Sequence, residues 1–202
     1  KVFASKMTDV TRVLWAPRLA RLGNFRKQTA FQLGIVERDV PAGADAFFAR
    51  LLRQPLEELF FKVRRVCARD DILAVLEEVL PARIIGDAFF MEWIKDMADV
   101  CKHFCAILQT DEVAFWLGSD RGCVRYHVDS TPFRALVTYA GTGTEWLPNE
   151  ACDRAAYAAL KPNAQIVKDP KASRFLGRWD FAVFRGEPDP DLHHKNGIIH
   201  RT

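Results

Sequence analysis

The chain has 202 residues, of which 49% are hydrophobic and 27% charged, with a net charge of +3 at pH 7. This length suits one domain with a sizeable core, which we expect to span residues 1–202. No apolar run approaches the ~20 residues of a membrane helix, so we expect no membrane span. Five irregularly spaced cysteines favour a reduced, cytoplasmic location. The charge is too mild to indicate nucleic acid as a partner.

The first half of the chain shows helical periodicity. Residues 44–109 contain three helical segments, the first interrupted by Pro55 and the second closed by Pro81. In the third, from Asp87 to about Gln109, apolar residues recur at three- and four-residue steps. The pattern predicts a helical scaffold that ends in one long helix lying on a core.

After Asp111 the hydrophobic period shortens to two, and β-branched and aromatic residues cluster. Six stretches are predicted to be strands: 112–118, 123–129, 134–140, 164–168, 180–186 and 197–202. Between them, Asn149 is predicted to cap a short helix that begins at Glu150. Helices followed by mostly antiparallel strands predict an α+β domain whose second half, residues 112–202, is a sandwich or a small barrel.

The stretch CVRYHVD, residues 123–129, places an imidazole and a carboxylate two residues apart, at His127 and Asp129. Residues two apart on a strand share a face, so both side chains can converge on one ion. Ionisable groups are costly in a core unless something pairs with them, and a metal ion would. His200, in the last predicted strand, is the candidate third ligand. Two histidines and one carboxylate form the facial triad of non-haem Fe(II) oxygenases.

Two further residues could close the coordination shell. Cys123 shares the face of His127 but lies about 13 Å away along an extended strand, so it could ligate only if the strand bends. Packing as a small buried hydrophobe is the alternative for this cysteine, and a thiolate ligand would favour zinc. The pair Asn196-Gly197 predicts a tight hairpin that would set His193 opposite His200. Two upstream prolines make a solvated loop the alternative for His193.

The arrangement of His127, Asp129 and His200 on this set of strands resembles the Fe(II)/2-oxoglutarate dioxygenases. Those enzymes are built on a double-stranded β-helix of the jelly-roll, cupin-like class, and the resemblance covers residues 112–202. It implies Fe(II) held by the three side chains and 2-oxoglutarate as cosubstrate. Over most of its length the chain also resembles a family of uncharacterised bacterial proteins, a domain of unknown function. This second resemblance rests on residues 123–156, DFAVFRGE and GIIHRT.

The dioxygenase resemblance also implies a cation for the 2-oxoglutarate carboxylate, usually an Arg or Lys soon after the distal histidine. The sequence reaches only Thr202, so Arg134 and Arg201 are the substitutes, because a guanidinium can bind a carboxylate through two hydrogen bonds. We expect the stretch GTGTEWLPNE to form the rim of the site. The rim residues would be Thr142, Thr144, Glu145 and Trp146.

Three functions stay open on the sequence. The first is an oxygenase acting on a small-molecule or protein substrate that the sequence does not identify. The second is a non-enzymatic zinc-binding protein of metal homeostasis, with the same three ligands and Cys123 or His193 completing the shell. The third is a cupin-like interaction module without a metal. No residue pattern indicates the oligomeric state.

Overall fold

A computed structural model describes residues 10–53, 56–188 and 196–202. The chain divides into two compact units. One comprises residues 1–18, 27–39 and 121–202, and we call it the site unit because it contains the predicted ligands. The other, the helical unit, comprises residues 19–26 and 40–120. The predicted helix break at Pro55 lies outside the described residues.

Nine strands and six α-helices occur in the described part of the chain. The strands are β1 (Val13–Trp15), β2 (Leu33–Val36), β3 (Leu59–Arg64), β4 (Glu112–Leu117), β5 (Phe133–Val137), β6 (Glu145–Leu147), β7 (Arg174–Phe175), β8 (Phe181–Arg185) and β9 (Ile199–Arg201). The helices are α1 (Ala44–Leu51), α2 (Ala68–Val79), α3 (Ala82–Ile85), α4 (Phe90–Leu108), α5 (Arg154–Ala158) and α6 (Asn163–Ile166). Within these residues, no helix combines the length and apolarity needed to cross a bilayer.

The helical unit is organised around α4, as its periodicity predicts. One face of this helix is buried, and it contacts α2, which buries Ile72 and Leu76. The segment 59–64 was predicted to be helical and is instead a strand, β3, paired antiparallel with β4 from Leu59↔Leu117 to Arg64↔Glu112. Its aromatic and β-branched residues suit a strand, and cross-strand pairing overrides the local helical pattern.

The site unit contains two small sheets. The first has the strand order β1-β2-β8-β5, with β1 and β2 parallel and the other neighbours antiparallel. The second has the order β7-β6-β9 and is antiparallel throughout. The α+β class and the mostly antiparallel pairing are confirmed. Over the described residues the sheets stay small and form no closed barrel.

Three local predictions in the site unit are wrong. The stretch 123–129 is irregular and pairs only at an isolated bridge between His127 and His200. The stretch 164–168 contains the end of α6 instead of a strand. The helix predicted to begin at Glu150 is a 3-10 turn, and α5 begins at Arg154 because the side chain of Asp153 accepts a hydrogen bond from the amide of Ala156.

The sheet β7-β6-β9 separates two apolar clusters. Adjacent residues of a strand point to opposite faces, so Ile198 and Ile199 enter different clusters. The cluster on one side includes Leu33, Trp146, Ala182, Phe184 and Ile198. The cluster on the other side consists of Tyr126, Leu147, Cys152, Ile166 and Ile199. Side-chain alternation along β6 and β9 therefore decides which residues can meet on each face.

We expect core packing of the site unit to dominate its stability. Val183 is fully buried in β8, whereas Val124 is 68% exposed. The substitution Val183→Ala removes two buried methyl groups and leaves a cavity, so it should lower the free energy of unfolding by about 2–3 kcal/mol. The matched change Val124→Ala should alter it by less than about 0.5 kcal/mol. Urea unfolding of both variants measures the difference, and equal effects would contradict the described packing.

Candidate metal centre

Three side chains of the site unit converge on one point. His127, Asp129 and His200 each offer a ligand atom, and these atoms lie within 4.8 Å of one another. Nε2 of His127 is 3.8 Å from Oδ1 of Asp129, and Nε2 of His200 is 3.7 Å from the same oxygen. Asp129 and His200 are buried, while the His127 side chain is 29% exposed. The cluster is therefore closed by protein on the His200 side and reaches solvent beside His127.

A backbone bridge places the two imidazoles side by side. The amide of His127 donates to the carbonyl oxygen of His200, and the amide of His200 donates to that of His127, both at 2.9 Å. Directly opposed residues of an antiparallel pair project to the same side. The two rings accordingly lie with their centroids 4.4 Å apart. Phe184 of β8 packs on the His200 ring at 4.7 Å and fixes it further.

Side chains from α5 and α6 hold the irregular segment before Asp129. The amide of Tyr126 donates to Oδ1 of Asn163, and the amide of Val128 donates to the hydroxyl oxygen of Tyr157. These bonds replace the strand ladder that the sequence predicts for this stretch. The alternation of faces nevertheless persists, because His127 and Asp129 point to the cluster while Tyr126 packs with the opposite apolar group.

Close backbone contacts fix the loop that carries Asp129. The amide of Glu187 donates to the carbonyl oxygen of Asp129 at 2.8 Å. A side chain at Gly186 would overlap the carbonyl oxygens of Asp129 and Thr131, so only glycine allows this approach. Sequence reasoning did not assign a role to Gly186. A glycine directly after a strand, as here after β8, is a signal for such a close approach.

Hydrogen bonds to the backbone determine which nitrogen of each imidazole faces the cluster. Nδ1 of His127 lies 2.9 Å from the carbonyl oxygen of Arg125, and Nδ1 of His200 lies 3.1 Å from that of Ile198. A carbonyl oxygen can only accept, so each Nδ1 carries a proton and donates it. Nε2 is then the nitrogen of each imidazole that faces Asp129. Metal-ligating histidines have the same arrangement.

The contact between His200 and Asp129 sets two acceptors against each other. Burial lowers the pKa of His200 from 6.5 to about 4, although the Asp129 carboxylate partly opposes this, so the imidazole is neutral near pH 7. Its Nε2 lone pair faces a buried carboxylate at a distance too long for a hydrogen bond. Oδ2 of Asp129 is also buried, and the Arg134 guanidinium, with Nε 3.1 Å away, is its ion-pair partner in the described structure. A cation among these atoms would satisfy all three groups.

The donor set fits a divalent transition-metal ion. Imidazole nitrogen and carboxylate oxygen are ligands of iron and zinc, at about 2.0–2.2 Å for zinc. Ligand atoms about 2.1 Å from one ion lie about 3.0 Å apart at right angles and about 3.4 Å apart at the tetrahedral angle. The separations of 3.7 and 3.8 Å from Asp129 to the two imidazoles are somewhat longer than both spacings, and the three ligand atoms together lie within 4.8 Å.

The two arginines predicted to bind the cosubstrate have different surroundings. Nε of Arg134 is 3.1 Å from Oδ2 of Asp129, and its side chain is 53% exposed, so Arg134 lies at the edge of the cluster. Nε of Arg201 donates to Oε2 of Glu145 at 2.6 Å. Arg201 follows His200 directly on β9, so its side chain lies on the opposite face of the strand.

The remaining predicted residues lie outside the cluster or outside the described residues. Cys123 is exposed, which excludes its predicted packing as a buried hydrophobe, and its thiol is not among the three converging groups. His193 falls outside the described residues. In the predicted rim, Thr142 is exposed, but Thr144, Glu145 and Trp146 are buried, and the last two belong to β6 instead of a loop.

Comparison with known proteins gives a family but no characterised relative. A family model described as a protein of unknown function, DUF1826, matches residues 18–202, so the chain belongs to that family. No curated protein and no solved structure matches the chain. The predicted resemblance to an uncharacterised family is confirmed, and the chemistry has to be argued from the cluster itself.

The lowered pKa of His200 predicts how stability changes with pH in metal-free protein. Between pH 6.5 and about 4 the unfolded chain binds a proton at this residue and the folded chain does not. The free energy of unfolding should therefore fall as the pH is lowered through this window, by up to about 1.4 kcal/mol per unit. Denaturant unfolding with a chelator present measures it.

The variants His200→Gln and His103→Gln separate this effect from general acid destabilisation. His103 is a partly buried histidine of α4 in the helical unit. We expect His200→Gln to flatten the pH dependence and His103→Gln to preserve it. The same slope in all three proteins would contradict a neutral, buried His200.

Proposed function

We propose that this DUF1826 protein binds a divalent metal ion through His127, Asp129 and His200 and acts as a non-haem Fe(II) oxygenase. The observation that supports the proposal is the convergence of Nε2 of His127, Nε2 of His200 and a carboxylate oxygen of Asp129, all within 4.8 Å of one another. Acceptors in such proximity repel one another, and burial strengthens the repulsion. A bound cation would turn this unfavourable arrangement into a stabilising one.

Open coordination positions support an enzymatic role. Three protein ligands leave several positions of an Fe(II) ion free, and the partly exposed side of His127 gives them access to solvent. Bound Fe(II) would supply the electrons and the binding positions that dioxygen activation requires. The three side chains would hold the ion, while Phe184 and the backbone bridge keep the two imidazoles in place. We propose that the two small sheets belong to a fold of the double-stranded β-helix type.

Arg134 is the side chain best placed to bind an anionic cosubstrate such as 2-oxoglutarate. Its Nε contacts the ligand Asp129, and half of the side chain is exposed. A guanidinium in this position can offer further N–H groups to a carboxylate next to the ion. Arg201 lacks this access because it is paired with Glu145 on the other face of β9.

A second candidate function is zinc binding without turnover. The separations of 3.7 and 3.8 Å are closer to the tetrahedral spacing of about 3.4 Å than to the octahedral one of about 3.0 Å. A tetrahedral zinc ion would take the three side chains and one further ligand. This observation favours zinc, whereas the composition of the donor set and its solvent access favour iron.

Metal content tests the proposal. We expect anaerobically purified protein to hold about one iron per chain, and His127→Ala and His200→Ala to lose it, because two remaining ligands bind too weakly. The control His103→Ala changes a histidine of α4 away from the three ligands and should retain the metal. Elemental analysis gives the stoichiometry, and succinate formation from 2-oxoglutarate gives the activity of the Fe(II)-loaded protein.

Each outcome selects one function. Iron in the parent, its loss in both ligand variants and succinate formation would support the oxygenase. Tightly held zinc without turnover would favour the zinc-binding protein instead. A parent without any metal would leave the cupin-like interaction module and overturn the proposal.

The role of Arg134 has its own test. Hydrogen bonds to a charged group contribute about 1.5–3 kcal/mol, so Arg134→Gln should raise the KM for 2-oxoglutarate by about 10- to 100-fold. The control Arg125→Gln removes an exposed guanidinium that donates to the carbonyl oxygen of Lys161. It should leave KM unchanged. Equal KM values in Arg134→Gln and the parent, at equal iron content, would refute this assignment.

A further inference from the structure

A second cluster of polar side chains lies behind the strands that carry the histidines. Glu145 accepts hydrogen bonds from the hydroxyl of Tyr126 at 2.7 Å and from Nε of Arg201 at 2.6 Å. The guanidinium of Arg201 also lies 4.6 Å from the centre of the Tyr126 ring, which is a cation–π distance. We call these three residues the Glu145 clamp.

Each partner in the clamp is a chain neighbour of a predicted metal ligand. Tyr126 precedes His127, and Arg201 follows His200. Glu145 itself lies opposite Arg201 in the β6–β9 pairing. The side chains of neighbouring residues point to opposite faces, so the clamp occupies one face and the two imidazoles the other. One carboxylate thus links the two segments that bear the histidines without reaching the metal position.

Two members of the clamp are buried, and the third, Arg201, has a side chain that is 36% exposed. Tyr126 and Glu145 are 2% and 7% exposed. Burial favours the neutral form of Glu145, but hydrogen bonds from Arg201, Tyr126 and Ser173 outweigh it and lower the pKa of the carboxyl group. Burial raises the pKa of Tyr126, which keeps its hydroxyl protonated as a donor. A buried network with every member paired is rigid, and removing one member leaves the others unsatisfied.

The backbone ladder between the histidine segments is short, consisting of the two bonds between His127 and His200 and one from the amide of Thr202 to the carbonyl oxygen of Cys123. The bridge between His127 and His200 is isolated, and the stretch around His127 forms no strand. The Glu145 clamp adds side-chain bonds to this short ladder, on the face opposite the imidazoles. Metal affinity is lost when ligands depart by about 0.5 Å from the productive geometry.

We propose that Glu145 is a positioning residue that fixes the spacing of His127 and His200 and thereby sets the affinity and geometry of the metal site. This inference rests on the proposed metal-binding function. Glu145 makes no contact with the ion in this scheme. It acts through Tyr126 on one ligand segment and through Arg201 on the other.

The test measures metal affinity and ligand geometry in full-length protein. Removing an outer-shell partner typically weakens metal binding by about 10- to 100-fold, and we expect Glu145→Gln to fall in this range. Tyr126→Phe removes a single hydroxyl and should give a smaller loss, about 3- to 10-fold. Chelator competition with Co²⁺ gives the dissociation constants. The Co²⁺ absorption spectrum at saturation reports coordination geometry, and we expect it to change in Glu145→Gln.

Glu150→Gln is the matched control, because Glu150 is an exposed glutamate of the same unit that contacts Thr11. It should leave the dissociation constant and the spectrum unchanged. If circular dichroism shows that Glu145→Gln does not fold, the same two measurements on Tyr126→Phe test the positioning role.

The outcomes distinguish this inference from the proposed function. Weaker binding with an altered cobalt spectrum in the clamp variants supports it. If the parent binds Co²⁺ and the clamp variants keep its affinity and its spectrum, the positioning role is overturned. The metal site itself would then stand. Weaker binding with the parent's spectrum indicates general destabilisation and also overturns it. A parent without metal binding overturns both.

Discussion

The reciprocal backbone hydrogen bonds between His127 and His200 are the constraint on which the rest of the site depends. They join two segments 73 positions apart in sequence and set both imidazoles on the same side. Alternation then assigns every neighbour to a face: Ile198 to one apolar cluster, and Tyr126 and Ile199 to the other. The chemistry on one face and the clamp on the other follow from this single pairing.

The electrostatics of the site follow from what surrounds the bridge. Main-chain carbonyls take both Nδ1 protons and leave the Nε2 lone pairs directed at a buried carboxylate. Burying Asp129 and His200 against each other incurs a desolvation cost that no hydrogen bond between them offsets. The Arg134 guanidinium offsets part of it at Oδ2 of Asp129. The remaining imbalance is centred on Oδ1 of Asp129, which faces both Nε2 atoms.

The sequence predicts the face on which residues lie better than the element that contains them. Period-two alternation correctly set His127 and Asp129 on one side and Tyr126 on the other, and it located β4, β5, β8 and β9. It failed where contacts with residues distant in sequence determine the local secondary structure. Asn163 and Tyr157 hold the backbone beside His127 and replace a strand ladder, and β3 exists because β4 pairs with it. Single-sequence patterns do not encode such contacts.

Metal choice at such a site depends on spacing more than on donor type. Two imidazoles and a carboxylate bind iron and zinc alike, and intrinsic affinities do not separate the two metals reliably. The separation between the His127 and His200 segments would distinguish them, because right-angled and tetrahedral coordination need different ligand distances. In our proposal the Glu145 clamp fixes that separation from the opposite face. In the proposed metal site, the network behind the strands would therefore contribute to selectivity without any of its atoms reaching the ion.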